Sequence, residues 1–472
     1  MAGKHATEGN VLVLARNEDF TRPNCDKYLA FRRVPQYAVS GTSSVRDGTW
    51  TLGNGLRVPV PDAVIPYSAM PDAIGAAEAT HAVGDHYFFE ERGVNACNVA
   101  VSATNSMETN ERAKAADPFQ PAGVEESILP TLVLPQATSA RHGVDLVGSY
   151  VETYGASEAN GLLIGDPDAC WYIEIGAGHH WIAVRVPDGA YIAVANDMRV
   201  HDVDLDADSV RHSPGLFEFT EKHRLLDAPR RASFNFAKAF GVLGNPYNVD
   251  RVWLAQSKLT PSLVQPERQV QYPLFLAPDR ELDVSDVMRV LRATYDGTVL
   301  DGRATRPIGY EKRAESHVIV LDRRLPRELT GLIWQAVSTP LGSPYLPLYS
   351  AMRHVPVRYA RGGDTFSPDS AYWAFLGAHA LEALVERIGE TKKEAWWREF
   401  ERRQLERAPR LRAILGDAYR TDRETAVDLA ERYSAAVAAQ ALDLATRESS
   451  GLMTEIAARD AEKHAVEMRT PS

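Results

Sequence analysis

The chain has 472 residues, with 52 Lys and Arg against 63 Asp and Glu, a net charge of −11 and 44% hydrophobic positions. Near-average apolar and charged fractions exclude a disordered or fibrous chain, and the acidic balance disfavours electrostatic association with nucleic acid or an anionic membrane. Three cysteines, Cys25, Cys97 and Cys170, are too few for a disulfide scaffold; no apolar run approaches the roughly 18 to 20 residues of a membrane helix, and the first one, 11–15, is too short for an export signal. A soluble protein of the reducing cytoplasm is expected.

In chain order, the buried-strand run 11–15 is followed by the charged cluster Arg16-Asn-Glu-Asp19. A second strand is predicted over 98–103. Runs 161–165, 171–175, 180–186 and 191–195 follow, separated by the turn signals Gly165-Asp-Pro-Asp168, Gly176-Ala-Gly178 and Pro187-Asp-Gly189. Connections this short demand an antiparallel meander, because parallel pairs need long crossovers. Between these strands, 123–154 reads as helix, broken into two pieces by Pro130 and Pro135. Further helices are expected over 216–243 and 284–296, and a late strand over 317–321. From about Ala371 the composition turns to Ala, Glu and Arg with apolar residues at helical spacing, predicting helices over 371–389, 392–415 and 423–446. A boundary near Gly363 divides a core, 1–363, from a helical C-terminal region, 364–472.

Residue chemistry by itself is sparse. Arg16 and Asp19 at one sheet edge can lower the pKa of a neighbouring thiol and orient an amine, although an ordinary surface ion pair explains the spacing equally well. Asn95, Asn98, Asn105 and Asn196 sit at strand exits, where an amide serves either an oxyanion or an Asx turn. Adjacent His179 and His180 point to opposite faces of a strand and do not converge on a metal. The acidic run 202–208 has Ala207 where a calcium loop needs glycine, and reads as a solvated loop. No histidine stands at a local signature spacing from any cysteine, and no phosphate-binding glycine loop is present.

Taken together in order, several stretches carry more. Gly3-Lys-His-Ala6, Ala15-Arg-Asn-Glu-Asp19, Asn98-Val-Ala-Val-Ser-Ala-Thr104, Glu158-Ala-Asn-Gly161, Trp171-Tyr-Ile-Glu174, Asn248-Val-Asp-Arg-Val-Trp253 and Pro344-Tyr-Leu-Pro-Leu-Tyr349 resemble the cytoplasmic cysteine dipeptidases related to choloylglycine hydrolases and penicillin V acylase. These are N-terminal-nucleophile hydrolases. The resemblance implies an α+β fold, a four-layer αββα sandwich with a helical C-terminal region, and a cysteine at the mature N-terminus that forms an acyl-enzyme. It implies dipeptide substrates, a pocket shaped by loops at 28–67 and 105–119, no metal or organic cofactor, and a possible homo-oligomer. It assigns Arg16 to the side of the nucleophile, Asp19 to its amine, Asn196 to the amine or the oxyanion hole, Asn105 to a second oxyanion donor, and Arg251 to support.

Sequences of this family open with a short strand beginning in cysteine, usually Cys-Thr-Thr, a few residues before the Gly-Lys pair seen here as Gly3-Lys4. Met1 and Ala2 offer no such nucleophile. The retained Arg16, Asp19 and Asn196 point to a coding start placed too late, against loss of catalysis in a peptide-binding homologue. An amidase acting on acylated amines is the other hydrolase reading.

Overall fold

The computed structural model describes residues 1–19, 27–32, 45–52, 54–62, 64–71, 90–304, 306–363, 365–389 and 395–469; Cys25 lies outside them. It is a mixed α+β protein with antiparallel sheets and a helical C-terminal region. No described helix is long and apolar enough to cross a membrane.

One sheet runs β1-β13-β14-β15, from strands Leu12–Asp19, Arg313–Leu321, Gly331–Val337 and Leu346–Tyr349. The larger sheet has eight strands: β2 (Ala30–Arg32), β6 (Tyr67–Ala69), β7 (Arg92–Asn95), β8 (Ala100–Met107), β9 (Ala159–Gly165), β10 (Cys170–Ile175), β11 (Trp181–Arg185) and β12 (Val210–His212), ordered β12-β11-β10-β9-β8-β7-β6-β2. A small sheet joins β3 (Val45–Arg46), β4 (Thr49–Thr51) and β5 (Arg57–Pro59).

Period-two alternation decides what each strand face touches. Leu12, Leu14, Ile319 and Ile333 of the smaller sheet pack with Leu163, Tyr172, Ile182 and Val184 of the larger one. The opposite face of the larger sheet, with Val101, Leu162, Ile173 and Ala183, takes the apolar side of the helices Leu129–Val133 and Ala140–Tyr154. On the opposite face of the smaller sheet, Val13, Val318, Val320 and Trp334 meet Leu415, Ala426 and Ala430, while Leu346 and Leu348 meet Phe375, Val437 and Ala441. The C-terminal helices Ala371–Gly389, Arg398–Thr421 and Arg423–Arg469 therefore pack on the chain's own sheet.

Several expectations need correction. The strand at 11–15 continues through Asp19, so the charged cluster is part of β1 rather than a surface turn after it. The run 191–195 is not the fourth strand of the meander; β12 lies beside β11 instead. After Pro187 the chain swings to the N-terminal segment: Gly3 N donates to Ala190 O at 2.9 Å and His5 N to Asp188 O at 2.7 Å. Gly3 permits the approach, because a Cβ there would stand 2.4 Å from Pro187 O. Tyr191 then bridges Ala2 on one side and Leu276 on the other. The helix expected over 216–243 is two short ones, Leu216–Lys222 and Phe236–Phe240. The last helix extends well past residue 446.

Glu174 on β10 secures the segment that carries Asn196. Its buried carboxylate accepts from the backbone N–H of Arg199 and from that of Val200 at 3.2 Å. Glu174→Ala leaves both donors buried and unpaired, and urea unfolding should show a loss of roughly 2–4 kcal/mol, with Glu174→Gln losing less.

Candidate active site

β1 has two edges. One pairs with β13 over its whole length. The other pairs only at Val13, which exchanges both backbone hydrogen bonds with Ala2. Met1 and Ala2 form a short extended piece between β1 and the segment after β11: Met1 N donates to Ile192 O at 3.0 Å and Ile192 N to Met1 O at 2.9 Å. In an antiparallel ladder, bonding groups alternate. Those of Ala15 and Asn17 therefore face the same side as Val13, and among the described residues this edge carries no backbone bond beyond Val13. A cavity of about 250 Å³ opens there, lined by Met1, Arg16, Asp19, Ser106, Glu126 and Asn196 among others.

Even-numbered residues of β1 point between the two sheets, so Arg16 enters a buried ionic cluster. Its Nη1 donates to Glu91 at 2.8 Å and lies 3.7 Å from Glu18, and its Nη2 donates to Glu126 at 3.2 Å. Burial opposes the positive charge, but Glu91, Glu18, Glu126 and Glu315 outweigh it and keep the guanidinium ionised. Lys27 pairs with Glu18 at 2.9 Å. Burial pushes Glu315 up, yet His317, Arg92 and Arg16 hold its carboxyl at about 2. Glu126 behaves oppositely: burial and the neighbouring Glu91 raise it to about 7 against the pull of Arg16.

Odd-numbered residues of β1 turn the other way. Asn17 Nδ2 donates to the carbonyls of Leu291 at 2.8 Å and Ile308 at 2.9 Å, and Asp19 pairs with Arg306 and Arg313. Across the cavity, Asn196 Oδ1 accepts from Arg251 Nη2 at 2.8 Å, and its Nδ2 donates to Ser106 O at 3.4 Å. Arg251 also donates to Asn248 Oδ1 at 2.9 Å and stacks over Tyr247.

Arg16, Asp19, Asn196 and Arg251 therefore line one cavity. Asn105 belongs to β8 at a register shift after Ala103; its side chain lies outside the described residues. Of the two expected pocket loops, 105–119 contributes Ser106, while none of the described residues of 28–67 lines the cavity. Cys97 stands beside Arg327, at 3.0 Å, and does not line it. Cys170 is buried between the sheets, where burial pushes its thiol up to about 12. His179 pairs with Asp117 and His180 with Ser213, on separate sides. Among the described residues no group of three or more His, Cys, Asp or Glu is arranged to hold a metal ion.

Sequence reading missed Glu91, Glu126, Ser106, Arg306 and Arg313. Only Glu126 left a trace there, as half of an acidic pair at the start of a helical stretch.

The profile of Peptidase family C69 matches residues 1–393. A protein named "Probable dipeptidase" from Latilactobacillus sakei is 31% identical over 399 residues, covering 82% of this chain and 80% of its own length. Another "Probable dipeptidase", from Salmonella dublin, is 32% identical over 377 residues, 77% of this chain and 82% of its own. A "Dipeptidase" from Bifidobacterium longum is 28% identical over 413 residues, with 79% and 74% covered.

A carboxyl raised on folding favours the folded state at low pH, and that contribution disappears as pH rises through the folded value. For Glu126, facing Arg16, Glu91, Glu158 and Ser106, the window runs from about 4.5 to about 7. Glu126→Gln, which imitates the protonated form, should therefore gain stability relative to the parent between pH 4.5 and 8. Chemical denaturation at both pH values checks the sign.

Proposed function

The chain belongs to peptidase family C69, a family of cysteine-type dipeptidases, and on that premise we propose that it hydrolyses dipeptides with a cysteine thiolate seated at the open edge of β1. The layering of helices, two facing sheets and helices is taken as the αββα arrangement of N-terminal-nucleophile hydrolases.

The observation that carries the reading is the slot itself. Counting back from Met1 along both ladders, the fourth preceding residue falls beside Glu18 on β1 and beside Asn196 on the other side. A leading strand of Cys-Thr-Thr and one further residue puts its cysteine at that point. There the α-amino group lies within reach of Asp19 and Asn196, and the sulfur near Arg16.

In this mechanism the free amine, with an ordinary pKa of about 7.7 to 8, accepts the thiol proton. The thiolate attacks the peptide carbonyl, and the oxyanion is met by the Asn196 amide, with Asn105 as the second donor. The amine returns its proton to the leaving nitrogen as the C–N bond breaks. Water, deprotonated by the same amine, then cleaves the thioester and releases the second amino acid. Arg251 is a positioning residue: by donating to Asn196 Oδ1 it turns the Nδ2–H toward the cavity. Arg16 favours the thiolate through its fixed positive charge.

The test is a chain led by Cys-Thr-Thr and one further residue with a free amino end, assayed by amino-acid release from dipeptides. The expected result is turnover that disappears when the leading Cys is replaced by Ala, and that falls about 10²–10³-fold in kcat for Asn196→Ala. Equal turnover with and without the cysteine would overturn the proposal.

A further inference from the structure

Resting on the dipeptidase reading above, we propose that Glu126 is the residue that recognises the free amino end of the substrate, restricting the site to peptides that carry a protonated α-amine.

The geometry of a dipeptide makes this demand unusually local. Its α-amino nitrogen is two bonds, roughly 2.5 Å, from the scissile carbonyl carbon. A carboxylate that accepts from it must therefore lie about one hydrogen-bond length further on, immediately beside the oxyanion donor. Glu126 occupies such a place. Its Oε2 accepts from Ser106 Oγ at 3.1 Å, and Asn196 Nδ2 donates to the carbonyl of the same Ser106 at 3.4 Å. Glu126 and Asn196 are thus fixed to one residue of the cavity wall.

Charge balance points the same way. Asp19 and Glu126 are the carboxylates among the described residues lining the cavity. Asp19 already faces two arginines, Arg306 and Arg313. Glu126 shares Arg16 with Glu91, which takes the shorter contact, 2.8 Å against 3.2 Å. Lys27 covers Glu18, so Arg16 remains as one cation facing two carboxylates. The other oxygen of Glu126 receives only a neutral hydroxyl. An arriving ammonium supplies the missing positive charge, and a charge-assisted hydrogen bond here is stronger than one to a neutral donor. An N-acylated peptide brings no such charge and leaves the carboxylate under-compensated.

The test compares kcat/KM on one dipeptide and on its N-acetyl form, for the cysteine-bearing parent and for E126Q and E126D. The parent should prefer the free-amino peptide. In E126Q that preference should shrink by about 10- to 100-fold, with E126D restoring part of it. An unchanged preference in E126Q overturns the proposal. An equal loss on both peptides also overturns it, and assigns Glu126 to the enzyme's own amine. Failure of the parent to cleave either peptide defeats the hydrolase reading instead; dissociation constants for the two peptides, measured by titration calorimetry on the same three proteins, then judge Glu126 by the same ratio.

Discussion

Arg16 is the interaction on which the rest of the site depends. Its guanidinium lies buried between two sheets and is held by Glu91, Glu18 and Glu126, with Glu315 close enough to add to the field. An unpaired cation there would be prohibitive, and removing it would strand several carboxylates at a cost of about 3–5 kcal/mol. The backbone yields to keep the pairing: Glu91 sits in the left-handed region at φ 51°, a conformation disfavoured for a residue with a Cβ by roughly 1–2 kcal/mol. The cluster fixes the direction of β1 at the point where its free edge meets the cavity.

From that fixed strand the remaining parts follow by alternation. Arg16 and Glu18 turn inward to the ionic cluster, while Asn17 and Asp19 turn to the Leu291, Ile308, Arg306 and Arg313 side. The backbone groups between them face the slot. The opposite wall is carried by a segment that belongs to neither sheet, pinned by Gly3 at one end and by Glu174 at the other. One cavity thus gathers a cation near the proposed sulfur, an amide near the proposed oxyanion, and a carboxylate near the substrate's amine. Their spacing suits a substrate whose charged end is next to the bond being cut.

Much of the fold was legible in the sequence because its signals are local. Gly165-Asp-Pro-Asp168 and Gly176-Ala-Gly178 separate β9, β10 and β11 with connections too short for anything but antiparallel pairing. Pro130 and Pro135 break the helical stretch where helices Leu129–Val133 and Ala140–Tyr154 divide. The errors come from partners distant in sequence. Charged residues normally end a buried strand, yet Arg16 and Asp19 continue β1, because Glu91 and Glu126 arrive from 75 and 110 residues away. The run 191–195 has a strand's composition, but Gly3 and His5 draw it out of the meander. Of the site, the family resemblance led to Arg16, Asp19, Asn196 and Arg251; Glu126 has no spacing signal, since its neighbours Arg16 and Ser106 meet it only in three dimensions.

The central claim is that the free edge of β1 is the seat of a strand bearing the nucleophile. Hydrogen–deuterium exchange at the Ala15 and Asn17 amides tests it most directly, comparing the chain that starts at Met1 with one led by Cys-Thr-Thr and one further residue. The account predicts fast exchange at both amides in the first protein and slowing of about 100-fold or more in the second, as ladder bonds form. Identical exchange in the two proteins would contradict it.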